Sequence, residues 1–317
     1  MKTILLLNTG TPETYDVKDV EDFIGQMLSD PLLTDLPKPI SKFLATKIIA
    51  PKSAPKSAEK YKLIWHDEYN GISPLMYYMK SIVAKTAQII DANVMFAMRY
   101  GRQNINNAML QLSHTHNSDD EVIAIPLFPH YAKSSYGSAV KELKRAYVDH
   151  SCKFALHIAE PFYDHPEYID ALAKDISPHI HSVDKLVLVY HSLPMNHINE
   201  GEKRGKPFDY VAQIEDTNRL LCERLDISND KTITLYSSQR RGNWLKPYLN
   251  HAIAELPKQG FKRVVITSPG FICDNLETLY DIDIEARALF MEAGGEEFVF
   301  IPSLNDSFSE FVISQYL

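Results

Sequence analysis

Cysteine is scarce in this chain and the usual nucleotide fingerprints are missing, and each shortage removes a class of chemistry. Only Cys152, Cys222 and Cys273 are present among 317 residues. An odd number without CxxC spacing argues against a disulfide framework or a zinc ribbon and fits a reducing compartment. Asn8-Thr9-Gly10-Thr11-Pro12 follows a strand pattern without GxGxxG, and no P-loop or nucleophile elbow occurs. A nicotinamide- or nucleotide-dependent enzyme is therefore disfavoured. Basic residues are in deficit, 33 against 41 acidic, for a net charge of −8. That balance lacks the electrostatic footprint of a nucleic-acid binder. Long apolar runs are also missing: Ile4 to Leu7 is too short for a signal-peptide core, and nothing approaches a transmembrane helix. A cytoplasmic protein is the expectation.

What is present reads as α/β. Short aliphatic or β-branched runs end in turn residues at Thr3–Leu7, Val94–Arg99, Val122–Leu127 and Phe154–Ile158. A second set follows at Lys185–Tyr190, Thr232–Tyr236, Arg263–Thr267 and Phe298–Ile301. Helical patterns lie between them, as in Val20-Glu21-Asp22-Phe23-Ile24 onward and Tyr168 to Leu172. Near-continuous apolar strands alternating with helices predict parallel sheets covered on both faces. The basic stretch Pro51 to Lys62 reads as a solvated loop and helix start.

The two halves rhyme. Strand one ends Asn8-Thr9-Gly10-Thr11-Pro12 and strand five His191-Ser192-Leu193-Pro194. Strand two ends Arg99-Tyr100-Gly101 and strand six Ser237-Ser238-Gln239-Arg240-Arg241-Gly242. Strand three ends Pro126-Leu127-Phe128-Pro129 and strand seven Ser268-Pro269-Gly270-Phe271. The expected fold is two similar doubly wound domains, each with a four-stranded parallel sheet, with a ligand cleft outside the strands' carboxyl ends. The boundaries read as 1–160, 161–303 and a C-terminal helix 304–317 packing back on the first domain.

Two features carry chemistry. His191 stops the apolar run Leu186 to Tyr190, and an imidazole there can ligate a metal or shuttle protons near neutrality. Glu277, Asp281 and Glu285 recur every four residues, with Asp274 and Asp283 nearby, so a helix stacks carboxylates on one face. Leu276, Leu279 and Ile282 mark a buried neighbouring face. The plain alternatives are a core histidine and a solvated acidic face. Arg99-Tyr100 and Gln239-Arg240-Arg241 end strands, where arginine suits carboxylate groups, although a surface ion pair reads equally well. Trp65 and Trp244 would wall a flat aromatic ligand or pack in the core. The pairs His114/His116 and His179/His181 precede strands in polar loops and read as surface.

These residues resemble the ferrochelatases, which insert ferrous iron into a porphyrin to make haem. The resemblance runs in order through Leu6-Leu7-Asn8-Thr9-Gly10-Thr11-Pro12-Glu13, Asp19 to Phe23, Tyr61 to Trp65 and Ser73-Pro74-Leu75. It continues through Met98 to Gly101, Pro126 to Tyr131, Tyr136 to Ser138 and His191-Ser192-Leu193-Pro194. Trp244 to Tyr248 and the acidic block to Glu285 complete it. It implies two Rossmann-like domains with a porphyrin cleft between them. It implies His191 and Glu277 as catalytic groups on either side of the macrocycle. His191, Glu277, Asp281 and Glu285 would then handle the metal, the last two as an acidic path along the helix. Asn8, Thr9, Gly10, Thr11, Ser73, Pro74, Leu75, Arg99 and Tyr100 are the implied substrate-binding residues. Phe23, Ile24, Met27, Leu28, Leu32 and Leu33, within a lip at about 19–50, resemble a mobile hydrophobic mouth.

The implied reaction is entry of Fe(II) into protoporphyrin IX or coproporphyrin III with release of two pyrrole protons. It needs a proton acceptor and a metal handler, and no organic cofactor; iron is a substrate. Where some relatives have a histidine two positions before the glutamate, this chain has Asn275. Some relatives carry a cysteine-ligated iron–sulfur cluster, which three cysteines do not supply. The expected partners are porphyrin and ferrous iron, with no nucleic acid. The apolar lip and an insoluble product add transient peripheral contact with the inner face of a membrane. A monomer or homodimer is expected. A cobalt or nickel chelatase acting on another tetrapyrrole, and a non-catalytic tetrapyrrole carrier, are the alternatives.

Overall fold

Two sheets of like order organise the chain. The computed structural model describes residues 1–239 and 242–316; the strand-end arginines Arg240 and Arg241 lie outside the described residues. The chain divides into two compact units. Unit 1 comprises Met1–Phe128, Ala132–Pro161 and Asp306–Leu317; unit 2 comprises Pro129–Tyr131 and Phe162–Asn305.

In unit 1 the strands are β1 (Lys2–Asn8), β2 (Asn93–Met98), β3 (Glu121–Pro126) and β4 (Ala155–Ile158). They run parallel in the order β2-β1-β3-β4. The central strand shows why: Ile4 to Leu7 are buried on both faces, which suits a continuous aliphatic run and not an alternating one. Each such side chain contributes about 1.5–3 kcal/mol relative to an exposed one. Helix starts are set locally. Asp30 caps Pro31–Thr34 by accepting from the Leu32 N–H at 2.8 Å, and Ser73 caps Pro74–Ile89 by accepting from Met76 N–H at 3.2 Å. The C-terminal helix Phe308–Tyr316 packs on Pro74–Ile89, where Asp306 meets Ser81 and Lys85 at 2.8 and 2.7 Å.

The basic stretch corrects one expectation. Pro51 to Lys62 is helical throughout, inside a run that begins at Lys38–Leu44, widens to an i→i+5 turn at Ala45–Ile49 and continues as Ala50–Ile64. Ala50, Ala54, Ala58 and Tyr61 are its buried stripe, and it packs against the helix Val17–Leu28. Small side chains every fourth residue let two helices approach closely, and this outweighs the helix-breaking tendency of Pro51 and Pro55. Pro51 follows the widened turn directly, where a missing N–H costs little.

A second correction concerns His116, read as surface. It is 7% exposed, with ring nitrogens on Thr3 Oγ1 at 2.8 Å and Thr115 Oγ1 at 2.9 Å. The polar segment hides an imidazole because β1 supplies a hydroxyl partner from across the chain.

Unit 2 repeats the plan with β5 (Lys185–His191), β6 (Thr232–Ser237), β7 (Arg263–Thr267) and β8 (Glu297–Phe300). The order is β6-β5-β7-β8, again all parallel. One face of this sheet is covered by Leu249 and Ile253 of the helix Leu249–Glu255 and by Ile282, Ala286 and Phe290 that follow β7.

Candidate functional site

His191 is the last residue of β5, and its direction follows from the strand's alternation. Val187 and Val189 pack against Ile282 and Ala286. His191 is the next residue in that series, so it stands on the same sheet face. Its backbone is held from several sides. Ser192 N–H donates to Ser237 O at 2.9 Å, Ser192 Oγ to Leu245 O at 2.9 Å, and Tyr210 Oη to the carbonyl of His191 at 3.0 Å. The imidazole Nδ1 lies 2.6 Å from Ser192 O. A carbonyl only accepts, so Nδ1 carries a proton, and in the neutral ring the lone pair is on Nε2. That is the tautomer a proton acceptor or a metal ligand needs.

The acidic segment is helical, but of an unusual kind. Glu277–Ala286 is a ten-residue π-helix, and its i→i+5 winding still leaves residues four apart close to one face. Asn275 starts it: its Oδ1 accepts from Glu277 N–H at 2.9 Å and from Thr278 N–H at 3.2 Å. Glu277, Asp281 and Glu285 are all half-buried. Ser238, just after β6, donates to Asp281 Oδ2 at 3.2 Å, and Asn250 donates to Glu285 Oε2 at 2.9 Å. Because β5 lies between β6 and β7, the bond from Ser238 to a helix that follows β7 spans the end of β5. The structure thus brings His191 and the helix that carries Asp281 to one face of one sheet.

The other acids of the staircase separate from it. Asp274 is buried; it accepts from Asn305 Nδ2 at 2.7 Å, Thr278 Oγ1 at 2.9 Å and Ser303 N–H at 3.0 Å. Burial pushes its carboxyl above the ordinary range against the pull of those bonds. It ties the loop after β7 to the loop after β8. Asp283 pairs with Arg287 Nε at 3.0 Å and turns to the opposite side of the helix.

In unit 1 the turn after β1 is stitched to the turn after β2. Arg99 N–H donates to Asn8 O at 2.7 Å and Tyr100 N–H to Thr9 O at 2.9 Å. The contact is close enough that a Cβ on Gly10, at φ +111°, would lie 2.2 Å from Tyr100 O, so only glycine fits. Asn8 is buried, its Oδ1 accepting from Thr9 N–H at 2.7 Å. For Arg99 the sequence allows a ligand role or an ion pair. The guanidinium meets Asp30 Oδ2 at 2.7 Å and Ser138 Oγ at 2.7 Å, and Tyr100 Oη donates to the same carboxylate at 2.9 Å. Burial opposes ionisation of Asp30, but bonds from Ser138 and Leu32 N–H, with Arg99 beside it, hold its carboxyl below the usual range. The arginine is thus engaged inside the unit, with one edge still accessible. Ser73, Pro74 and Leu75 are buried at a helix start, so they shape the unit more than they present side chains.

Sequence reading assigns no role to Asp30, Ser138, Tyr210, Ser237 or His130, although Ser138 and His130 lie in segments of the resemblance and Ser237 ends a strand. Asp30 carried a signal, the capping pattern Asp-Pro. The signal at His130 is its place in the segment Pro126 to Tyr131. His130 is 3% exposed, with Nε2 on Thr217 Oγ1 at 2.9 Å and Tyr190 edge-on at 5.2 Å. Burial lowers its pKa to about 3. Among the described residues no group of three or more His, Cys, Asp or Glu is gathered to hold a metal ion. An open hollow of about 600 Å³ lies at the opposite, amino-terminal edge of the unit 2 sheet, lined by Asp184, Lys185, Asp230 and Lys231. Its lysines donate to the carbonyls of Asp230 and Val183, and it has no connection with His191.

The fold is shared by solved proteins of the chelatase type. The chain is similar to the sirohydrochlorin chelatase SirB from Bacillus subtilis subspecies spizizenii, solved in complex with cobalt. The TM-score is 0.51 at 10% identity, covering 99% of this chain and 98% of that one. SirB from Bacillus subtilis with Fe3+ gives a TM-score of 0.56 at 11% identity, covering 99% and 94%. These likenesses establish the fold. The chain matches the Ferrochelatase family over residues 1–312 and belongs to it. Curated ferrochelatases from Pseudomonas savastanoi pv. phaseolicola and Porphyromonas gingivalis are 34% and 32% identical over 96% of this chain. The matches cover 93% and 92% of those proteins. The ferrochelatase of Legionella pneumophila is 32% identical over 96% of this chain and 94% of its own length.

Proposed function

We propose that this chain inserts Fe(II) into a porphyrin and releases the two pyrrole protons, in the terminal part of haem synthesis. Membership of the ferrochelatase family supports the reaction class. The observation that carries the residue assignment is His191, with Nδ1 on Ser192 O and Nε2 bearing the lone pair, on the sheet face that the acidic helix covers. In this reading Nε2 takes a pyrrole proton or meets the entering iron. Glu277 complements it, and Asp281 and Glu285 conduct the cation along the helix. Asn8 to Thr11, Ser73 to Leu75, Arg99 and Tyr100 shape the macrocycle's seat. Asp30 restrains Arg99, so a propionate meets an oriented guanidinium and not a mobile one. Binding energy spent on bending the flat ring would expose its nitrogen lone pairs. Iron is a substrate, no organic cofactor is required, and no iron–sulfur cluster enters the scheme.

The test is anaerobic absorbance of the purified protein with Fe(II) and either protoporphyrin IX or coproporphyrin III, beside His191→Ala. Conversion of free-base bands to the haem spectrum, lost in the variant, is the expected result. The porphyrin that turns over faster identifies the substrate. Binding of both without conversion would favour a carrier.

Peripheral membrane contact is part of the reading. Ile40, Phe43, Ile48 and Ile49 are 42–59% exposed on the run Lys38–Ile64, interleaved with Lys38, Lys42, Lys47 and Lys52. Apolar side chains among lysines suit an anionic lipid surface. No described helix is long and apolar enough to cross a membrane. Flotation with anionic liposomes, lost on Phe43→Glu, is expected; no flotation with or without porphyrin would sink this part.

A further inference from the structure

The loop after β8 reaches back to the segment that leads into the acidic helix, and one residue makes the join. Asn305 N–H donates to Ile272 O at 2.8 Å. Its Oδ1 accepts from Asp274 N–H at 2.8 Å, and its Nδ2 donates to Asp274 Oδ2 at 2.7 Å. A backbone N–H only donates and a carboxylate only accepts, so the amide fits one way round. The backbone of Asn305 is left-handed, at φ +51°, where asparagine is one of the few side chains readily tolerated. Both partners are buried.

The Asp274 carboxylate carries the bonding onward. Its Oδ1 accepts from Thr278 Oγ1 at 2.9 Å and from Ser303 N–H at 3.0 Å. Thr278 Oγ1 in turn accepts from Asn275 N–H at 3.0 Å, and Asn275 Oδ1 holds the N–H groups of Glu277 and Thr278. The first N–H groups of a helix depend on such outside partners. Glu277 therefore lies between Asn275 and Thr278, which are placed from Asp274, and Asn305 grips Asp274 by backbone and side chain together.

We propose that Asn305 is a positioning residue for iron insertion: through Asp274 it sets the backbone from which Glu277 acts. This rests on the reading of Glu277 given above. The loop after β8 is thus part of the machinery that aims the acidic helix, although it carries none of the acids.

The experiment measures insertion of Fe(II) into porphyrin, and melting temperature, for Asn305→Gly, Glu277→Gln and the two together. Glycine accepts the left-handed backbone, so that change removes only the amide. Asn305→Gly is expected to lower kcat about tenfold with KM for porphyrin unchanged, since small misplacements at a reacting centre are costly. In the Glu277→Gln background it should cost less than about twofold, because the carboxylate it positions is already gone. A further variant exchanges the pair, Asp274→Asn with Asn305→Asp. The amide then donates from 274 to the carboxylate at 305, and its oxygen still accepts from Thr278 and Ser303. Every bond is kept, and most of the turnover should return. Asn305→Asp alone sets two carboxylates against each other and should lose at least as much as Asn305→Gly.

Full kcat in Asn305→Gly beside an impaired Glu277→Gln overturns the proposal and leaves the reading of Glu277 standing, whatever the melting temperature. An equal loss in both backgrounds overturns it as a packing effect. An exchange that restores the melting temperature without the turnover overturns it too, and decides the matter if Asn305→Gly does not fold. Full turnover in Glu277→Gln overturns the reading of Glu277, and this proposal with it.

Discussion

In unit 1 the turns that close β1 and β2 are bonded to each other through Arg99 and Tyr100 N–H, and the Arg99 side chain is closed against Asp30 and Ser138. In unit 2 the equivalent ends of β5 and β6 carry His191 and Ser237, and the Ser237 hydroxyl has no hydrogen-bond partner among the described residues. The strand orders are alike, β2-β1-β3-β4 and β6-β5-β7-β8. One backbone plan thus yields a finished, charge-balanced wall in one unit and an edge with chemistry in reserve in the other. The difference lies in which side chains follow the strands. A carboxylate brought in by a helix N-cap neutralises the first edge, while a π-helix carries its carboxylates along the second.

The largest effect should come from the reactive edge. His191→Ala is expected to lower iron insertion by about 10²–10⁴-fold, the usual worth of a positioned acid–base group, with the fold intact by circular dichroism. Next, the finished wall should fail by unfolding. Asp30→Ala strands the Arg99 guanidinium, and removing one partner of a buried pair costs about 3–5 kcal/mol. Denaturant melts would show it, and a loss well under 1 kcal/mol would mean that solvent already screens the pair.

Within the reactive edge, Glu277→Gln should cost turnover at least as much as Asp281→Asn, because Glu277 opens the helix. The reverse order, measured as kcat, would make the path along the helix limiting. The last effect is confined to acid: a pH slope. His130 has a folded pKa of about 3, below the unfolded value of about 6.5. As pH falls from 6.5 towards 3 the unfolded chain therefore binds a proton that the folded one refuses, and stability drops. Above 6.5 the term vanishes. His130→Gln should flatten that limb of a stability–pH curve for unit 2, and an unchanged slope would show that other groups set it.

Much of the fold was legible because parallel strands buried on both faces need unbroken aliphatic runs. Arg263–Thr267 was read to the residue, and the other strands within a residue or two at each end. His116 and the stretch Pro51 to Lys62 misled, since a polar or proline-containing segment was helical or buried for reasons supplied by distant partners, Thr3 and the helix Val17–Leu28. The acids at 277, 281 and 285 are visible by spacing; Asp274 and Asp283, near them but off that spacing, bond elsewhere.

The sequence by itself determined the eight strands, their doubling into two like sets and the residue types that end them, because periodicity and turn chemistry are local. Only the tertiary structure decided that Arg99 closes on Asp30, that His130 is buried among tyrosines, and that Ser237 stands beside His191. These pairings join residues tens of positions apart. A hydrogen bond's partner is set by where strand order and helix packing bring the chain, which no local pattern records.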